Sequence, residues 1–180
     1  MDSLAEQILL HLYNCVDFGF SYRVKKGLYI SDVFPGGWHK KLKGKQVQDG
    51  LRDLRKSNFI LKKTQYDGSV IVSLTERGRL RALNMSFKKL KDKQENWDQK
   101  WRMVAFDIPN ENRKGRDALR YRARMAGFYE LQESLFLYPY DCEREVRDFV
   151  RLFKLEEYVR FALLDFIDNQ EKIKNIFGLK

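Results

Sequence analysis

Two alternating, β-rich runs, Phe59–Thr64 and Ser69–Leu74, are separated only by Gln65, Tyr66, Asp67 and Gly68. An Asp-Gly pair between such runs is a strong hairpin signal, because the tight turn needs a backbone conformation that glycine adopts without steric cost. A hairpin here limits what can stand on either side of it. Immediately before it, Val47, Leu51 and Leu54 fall within about 60° of one another at ~100° per residue, so a helix starting near Lys45 turns them toward a core. Lys45, Gln48, Arg52 and Lys56 then stand well away from that stripe, with Arg55 on its flank. Arg and Gln pair with base edges in a major groove and Lys grips phosphate, so this helix is a candidate for reading DNA. The alternative is an ordinary solvated helix face. Lys62 and Lys63, near the hairpin tip, are placed to reach a phosphate or the adjacent minor groove.

Upstream, Leu4, Ile8, Leu12 and Cys15 recur at helical spacing and predict a helix over 3–17. Residues 18–44 are punctuated by Gly and Pro and give only a short helix around 28–34. Downstream, Thr75 can cap a helix with Gly78 in its first turn, followed by Leu80, Ala82 and Leu83. Helix, helix, hairpin, helix is the order of a winged helix-turn-helix. The string Leu74-Thr75-Glu76-Arg77-Gly78-Arg79 also resembles the stretch that closes many bacterial winged-helix repressors.

Charge follows the same division. Residues 1–90 hold 17 Lys/Arg against 8 Asp/Glu, net +9, whereas residues 91–180 are net +1. A cationic half beside a near-neutral one fits a nucleic-acid module joined to something with another task. The stretch 86–100 is highly charged with almost no apolar periodicity. Domain limits are accordingly expected at 1–88 for DNA binding, 89–100 for a charged linker and 101–180 for a second domain.

In that second domain, Trp101–Ile108 reads as a buried strand stopped by Pro109, followed by a helix over about 112–126 that Gly127 ends. Leu119, Ala123 and Ala126 give this helix a core face, and Arg113, Arg116, Arg120 and Arg124 line an adjacent flank. That arginine row has three readings: a solvated face, an extra phosphate contact, or a dock for an anion or acidic partner. Phe128–Gln132 and Ser134–Tyr138 read as two short strands or one bent strand. Asp141 can cap a helix carrying Val146, Phe149, Val150 and Phe153, and Tyr158–Ile167 gives a last long strand. A final helix, capped near Asp168 or Asn169, carries Ile173, Ile176 and Phe177 to Gly178. The order β-α-β-β-α-β is that of a ferredoxin-like domain, so the whole chain is expected to be α+β.

The run from Trp97 to Asp141 contains a Trp-Asp-x-Lys-Trp opening, the strand end Phe106-Asp107-Ile108-Pro109, the Gly127-Phe128 turn and Gln132-x-Ser134-x-Phe136. It resembles the central domain of the PaaX-like repressors, which is itself similar to the second CRISPR-associated protein, the small ferredoxin-like subunit of the spacer-acquisition complex. The resemblance implies a homodimeric regulator, a repressor of transcription, whose ferredoxin-like domains dimerise and present two winged helices to an inverted repeat in double-stranded DNA. The family usually continues into a further C-terminal domain that this sequence does not contain. Its acyl-coenzyme-A effector is therefore not carried over, and any small-molecule effector is left unassigned.

The resemblance also supplies the competing classes. The CRISPR subunits carry an Asp at the end of the first strand, where Asp107 stands, which makes Asp107 the one candidate for a metal-dependent nuclease. A structural role at a strand end is the competing reading, and no enzyme activity is expected. A non-catalytic adaptor that holds DNA without reading it is the third class. Cys15, Cys142, His11 and His39 are isolated and give no metal or disulfide pattern, so no cofactor is expected. With no long apolar stretch and no signal-like N-terminus, the protein is expected to be cytoplasmic and away from membranes.

Overall fold

A computed structural model of the chain describes residues 3–15, 22–24, 44–92 and 96–179; the short helix expected around 28–34 lies outside them. The chain divides into two units, Met1–Met85 and Ser86–Lys180. No helix among the described residues is long and apolar enough to cross a membrane.

The first unit begins with helix α1 (Leu4–Cys15). Ser3 Oγ accepts the Glu6 N–H at 3.3 Å and the Ser3 N–H donates to Glu6 Oε2 at 3.1 Å, a reciprocal cap that satisfies donors left open at the helix start. Ile8, Leu9, Leu12 and Tyr13 are buried. Strand β1 (Tyr22–Val24) follows, a three-residue element too short to show a period of two in the sequence. Helix α2 (Gly44–Lys56) buries Val47, Leu51 and Leu54, the stripe that its spacing predicts. Strands β2 (Ile60–Thr64) and β3 (Val70–Leu74) form the expected hairpin, in register from Ile60↔Leu74 to Thr64↔Val70, and β1 pairs antiparallel with the other side of β3.

Helix α3 (Glu76–Leu90) starts at Thr75, whose Oγ1 accepts the Gly78 N–H at 2.9 Å and donates to the Asn58 carbonyl at 2.7 Å. The helix start is thereby stitched to the turn between α2 and the hairpin. A Cβ on Gly78 would stand 2.0 Å from the Phe59 carbonyl oxygen, so only glycine permits this approach.

In the second unit, strands β4 (Trp101–Phe106), β5 (Tyr129–Gln132), β6 (Leu135–Tyr138) and β7 (Val159–Leu164) form one sheet in the order β5-β6-β4-β7, each neighbour antiparallel. Helices α4 (Arg113–Met125), α5 (Glu143–Leu152) and α6 (Gln170–Phe177) complete it, with a 3-10 turn at Asn110–Asn112 before α4. Side chains alternate across the sheet. Val104, Phe106, Phe136 and Tyr138 fill one face, where Phe106 lies under the Arg120 guanidinium of α4. Trp101 and Leu137 point to the other, where Ile173 and Phe177 of α6 pack on them. The chain is thus α+β, with an N-terminal helix–strand region and a second unit that resembles the ferredoxin-like fold.

Two boundaries differ most from expectation. The last strand stops at Leu164 instead of running to Ile167: its partner β4 begins at Trp101, opposite Leu164, and the ladder ends with that pair. Of the two alternatives for 128–138, the chain takes the two short strands, with a register shift between Glu130 and Gln132. Helix α3 runs through Leu90 into the charged stretch, where Phe87 and Leu90 are buried and the Leu90 carbonyl accepts a hydrogen bond from the Tyr138 hydroxyl. Residues 86–90 of the charged stretch thus belong to α3.

Candidate nucleic-acid interface

The apolar stripe of α2 fixes where its polar residues go. With Val47, Leu51 and Leu54 turned inward, Lys45, Gln48, Arg52, Arg55 and Lys56 are all exposed. The hairpin is sorted by the alternation of a strand. Ile60 is buried, so Lys62, two residues on, shares its face, and Lys63 belongs to the opposite face with the exposed Leu61.

These two elements meet in a groove of about 470 Å³ lined by Gln48, Leu51, Arg52, Arg55, Ile60, Lys62 and Val72. Its floor is apolar and its rim carries three cations and one amide. Four of the seven expected DNA-contacting residues are brought together there: Gln48, Arg52, Arg55 and Lys62. Lys45 and Lys56 stand outside the groove on the part of α2 farthest from its core stripe, and Lys63 is separated from it by the strand itself. Sequence reasoning treated Lys62 and Lys63 alike; counting the strand period from Ile60 would have parted them. It also passed over Asp49, whose Oδ1 lies 2.8 Å from Arg52 Nη2 and orients the guanidinium from within the same helix.

The arginine row on α4 is engaged within its own unit. Arg113 Nε lies 3.3 Å from Asp117 Oδ2, and Arg116 donates to the Ile108 carbonyl at 3.2 Å and to Asn110 Oδ1 at 3.3 Å. Arg120 donates to the Glu133 carbonyl at 2.9 Å. Arg124 grips Glu130 through two bonds of 2.8 and 2.9 Å, and that guanidinium holds the Glu130 carboxyl below its ordinary range.

The Trp-Asp-x-Lys-Trp segment folds around Arg102. Its guanidinium donates to Asp98 Oδ2 at 2.7 Å and to the carbonyls of Lys100 and Pro139 at 2.9 and 2.8 Å, while Trp97 packs on Trp101 with ring centroids 5.0 Å apart. Hydrogen bonding from Arg102 keeps the Asp98 carboxyl below the usual carboxylate range. Residues 94–175 match the PaaX protein central Cas2-like domain. No curated protein matches the chain.

The Cas2-like domain therefore takes in the sheet, α4, α5 and most of α6, and leaves the α2–hairpin groove outside it. Within this domain Asp107 directly follows β4, with its N–H donating to the Tyr158 carbonyl at 2.9 Å and its side chain exposed. No side-chain bond from the cap residue closes the start of the following 3-10 turn or of α4. Among the described residues no group of three or more His, Cys, Asp or Glu is gathered that could hold a metal ion. Cys142 is buried and is not joined in a disulfide.

Proposed function

We propose that the protein is a sequence-specific, double-stranded-DNA-binding transcriptional regulator, a repressor that acts by occupying its operator. The observation that carries this reading is the convergence of Gln48, Arg52, Arg55 and Lys62 on one groove between α2 and the β2–β3 hairpin. On this reading the first unit is a winged helix-turn-helix, α2 is the recognition helix and the hairpin is the wing. A helix fits the major groove, where guanine offers two acceptors to a forked Arg and adenine an acceptor and a donor to Gln. Arg52 and Gln48 are assigned to base edges, and Lys45, Lys56, Lys62 and Lys63 to phosphates. The family match over 94–175 agrees with a nucleic-acid-associated regulatory role.

The Cas2-like domain is proposed to join two chains. Its sheet ends in two edges, β5 and β7, and Leu163 and Phe166 at the β7 side are 54% and 70% exposed, an apolar margin that natural sheets cover. Two winged helices on one two-fold platform match an inverted repeat. Binding requires no cofactor and no catalysis, and the site of action is cytoplasmic.

Purified protein incubated with fragmented DNA from its source genome tests this. The expected outcome is enrichment of a short inverted repeat with half-sites about one helical turn, ~34–36 Å, apart. Recovery of fragments with no shared sequence would leave a non-specific adaptor.

A further inference from the structure

Tyr66 stands at the tip of the hairpin, and its side chain is wholly exposed, more so than any other large apolar or aromatic residue among those described. The backbone that carries it is fixed. The Gly68 N–H donates to the Gln65 carbonyl at 3.0 Å, the Gln65 N–H to the Ser69 carbonyl at 2.8 Å, and the Ser69 N–H to Asp67 Oδ1 at 2.8 Å. Gly68 closes the turn at φ +76°, a conformation that an L side chain resists. An aromatic ring held out in water on a rigid tip forgoes the burial that makes Tyr stabilising elsewhere, and aromatic residues presented in this way are characteristic of contact surfaces.

The surroundings say what kind of contact. Lys62 and Lys63 precede the tip on β2, and the half of the chain that carries it is net +9. The minor groove of B-DNA is ~6 Å wide and ~7.5 Å deep, too narrow for a helix but open to a flat ring entering edge-on. Tyr66 lies past the end of β2, on the turn at the tip of the hairpin, beyond the Lys62 that lines the α2 groove and so nearest to whatever groove adjoins it. A phenolic O–H arriving there finds an acceptor on A·T pairs, adenine N3 or thymine O2, whereas G·C pairs fill the same position with the guanine amino group, itself a donor.

We infer that Tyr66 is a minor-groove contact that makes the protein prefer A·T pairs beside the segment read by α2. The inference rests on the reading of the α2–hairpin surface as the DNA interface, and its test separates the two. The full chain is titrated with its genome-selected fragment, and with versions in which flanking A·T pairs are changed to G·C or to inosine·cytosine, which shows a G·C-like major groove but lacks the minor-groove amino group. Wild-type protein should lose about tenfold on G·C and recover on inosine·cytosine, the scale of one disfavoured base pair. Tyr66→Ala should bind all three alike at the weaker affinity, and Tyr66→Phe should lose most of the discrimination. Unchanged discrimination in Tyr66→Ala, or inosine·cytosine behaving as G·C, overturns this role for Tyr66. If Arg52→Ala still lowers preference for the selected fragment in that case, the α2 reading stands without it; if wild-type protein fails to prefer that fragment over scrambled duplex, both fall.

Discussion

Arg52 leans on Asp49 at 2.8 Å with 62% of its side chain exposed, so a base edge can replace that partner at small cost, exposed pairs contributing only ~0–1 kcal/mol. Arg52→Ala should therefore weaken the selected site by about 1–3 kcal/mol and relax preference at a few positions, in competition titrations against random duplex. Lys62→Ala should weaken every sequence alike, and Lys63→Ala less than Lys62→Ala, because the strand turns Lys63 away from the groove. Equal losses for the two lysines would argue against that face assignment. Arg102 was not legible as a structural centre, since its carbonyl partner at Pro139 comes from a distant part of the chain. Asp98→Asn should lower unfolding free energy by about 1–3 kcal/mol, the scale of a hydrogen bond to a charged group, in denaturant titrations. The Asp98 carboxyl is held below its ordinary range in the folded chain, so its contribution is present at neutral pH and is lost as pH falls through that depressed value.

At the scale of elements, the hairpin and α2 could be read in advance because their signals are local: Asp67-Gly68 for the turn, one apolar stripe for the helix. The end of β7 could not, because it is set by the length of β4, and neither could the partners of the α4 arginines, which include Glu130 and Glu133 on and beside β5. Spacing along α4 shows only that the arginines share a flank. The extension of α3 was hidden because Lys88, Lys89 and Lys91 surround the few buried residues there. Gly78 is the sharpest element-level test. Gly78→Ala should cost well over the ~1 kcal/mol that alanine ordinarily gains over glycine in a helix, since the new methyl meets the Phe59 carbonyl, and the first unit should melt at lower temperature. An unchanged or raised melting temperature would show that α3 does not pack against the hairpin in this way.

Over the whole molecule, charge is segregated, net +9 in residues 1–90 and +1 in residues 91–180. The basic half should make binding steeply salt-dependent: a dimer contacting on the order of 6–10 phosphates loses ~10³–10⁵ in affinity between roughly 50 and 200 mM salt. The Cas2-like domain should hold the dimer, so Leu163→Glu combined with Phe166→Glu should shift the full chain from a dimeric to a monomeric mass in sedimentation; a monomeric wild type at micromolar concentration would contradict this. Segregation was visible in the sequence as a charge count, whereas the groove proposed to take DNA depends on α2 and the hairpin meeting in space. The most direct measurement of the central claim is the affinity ratio between the selected operator and a scrambled duplex of equal length, at one salt concentration, for wild type and Arg52→Ala. The ratio should be at least ~10³ for wild type and should fall in Arg52→Ala while binding to the scrambled duplex stays nearly constant; a wild-type ratio near one, or equal losses on both duplexes, would contradict sequence-specific reading by α2.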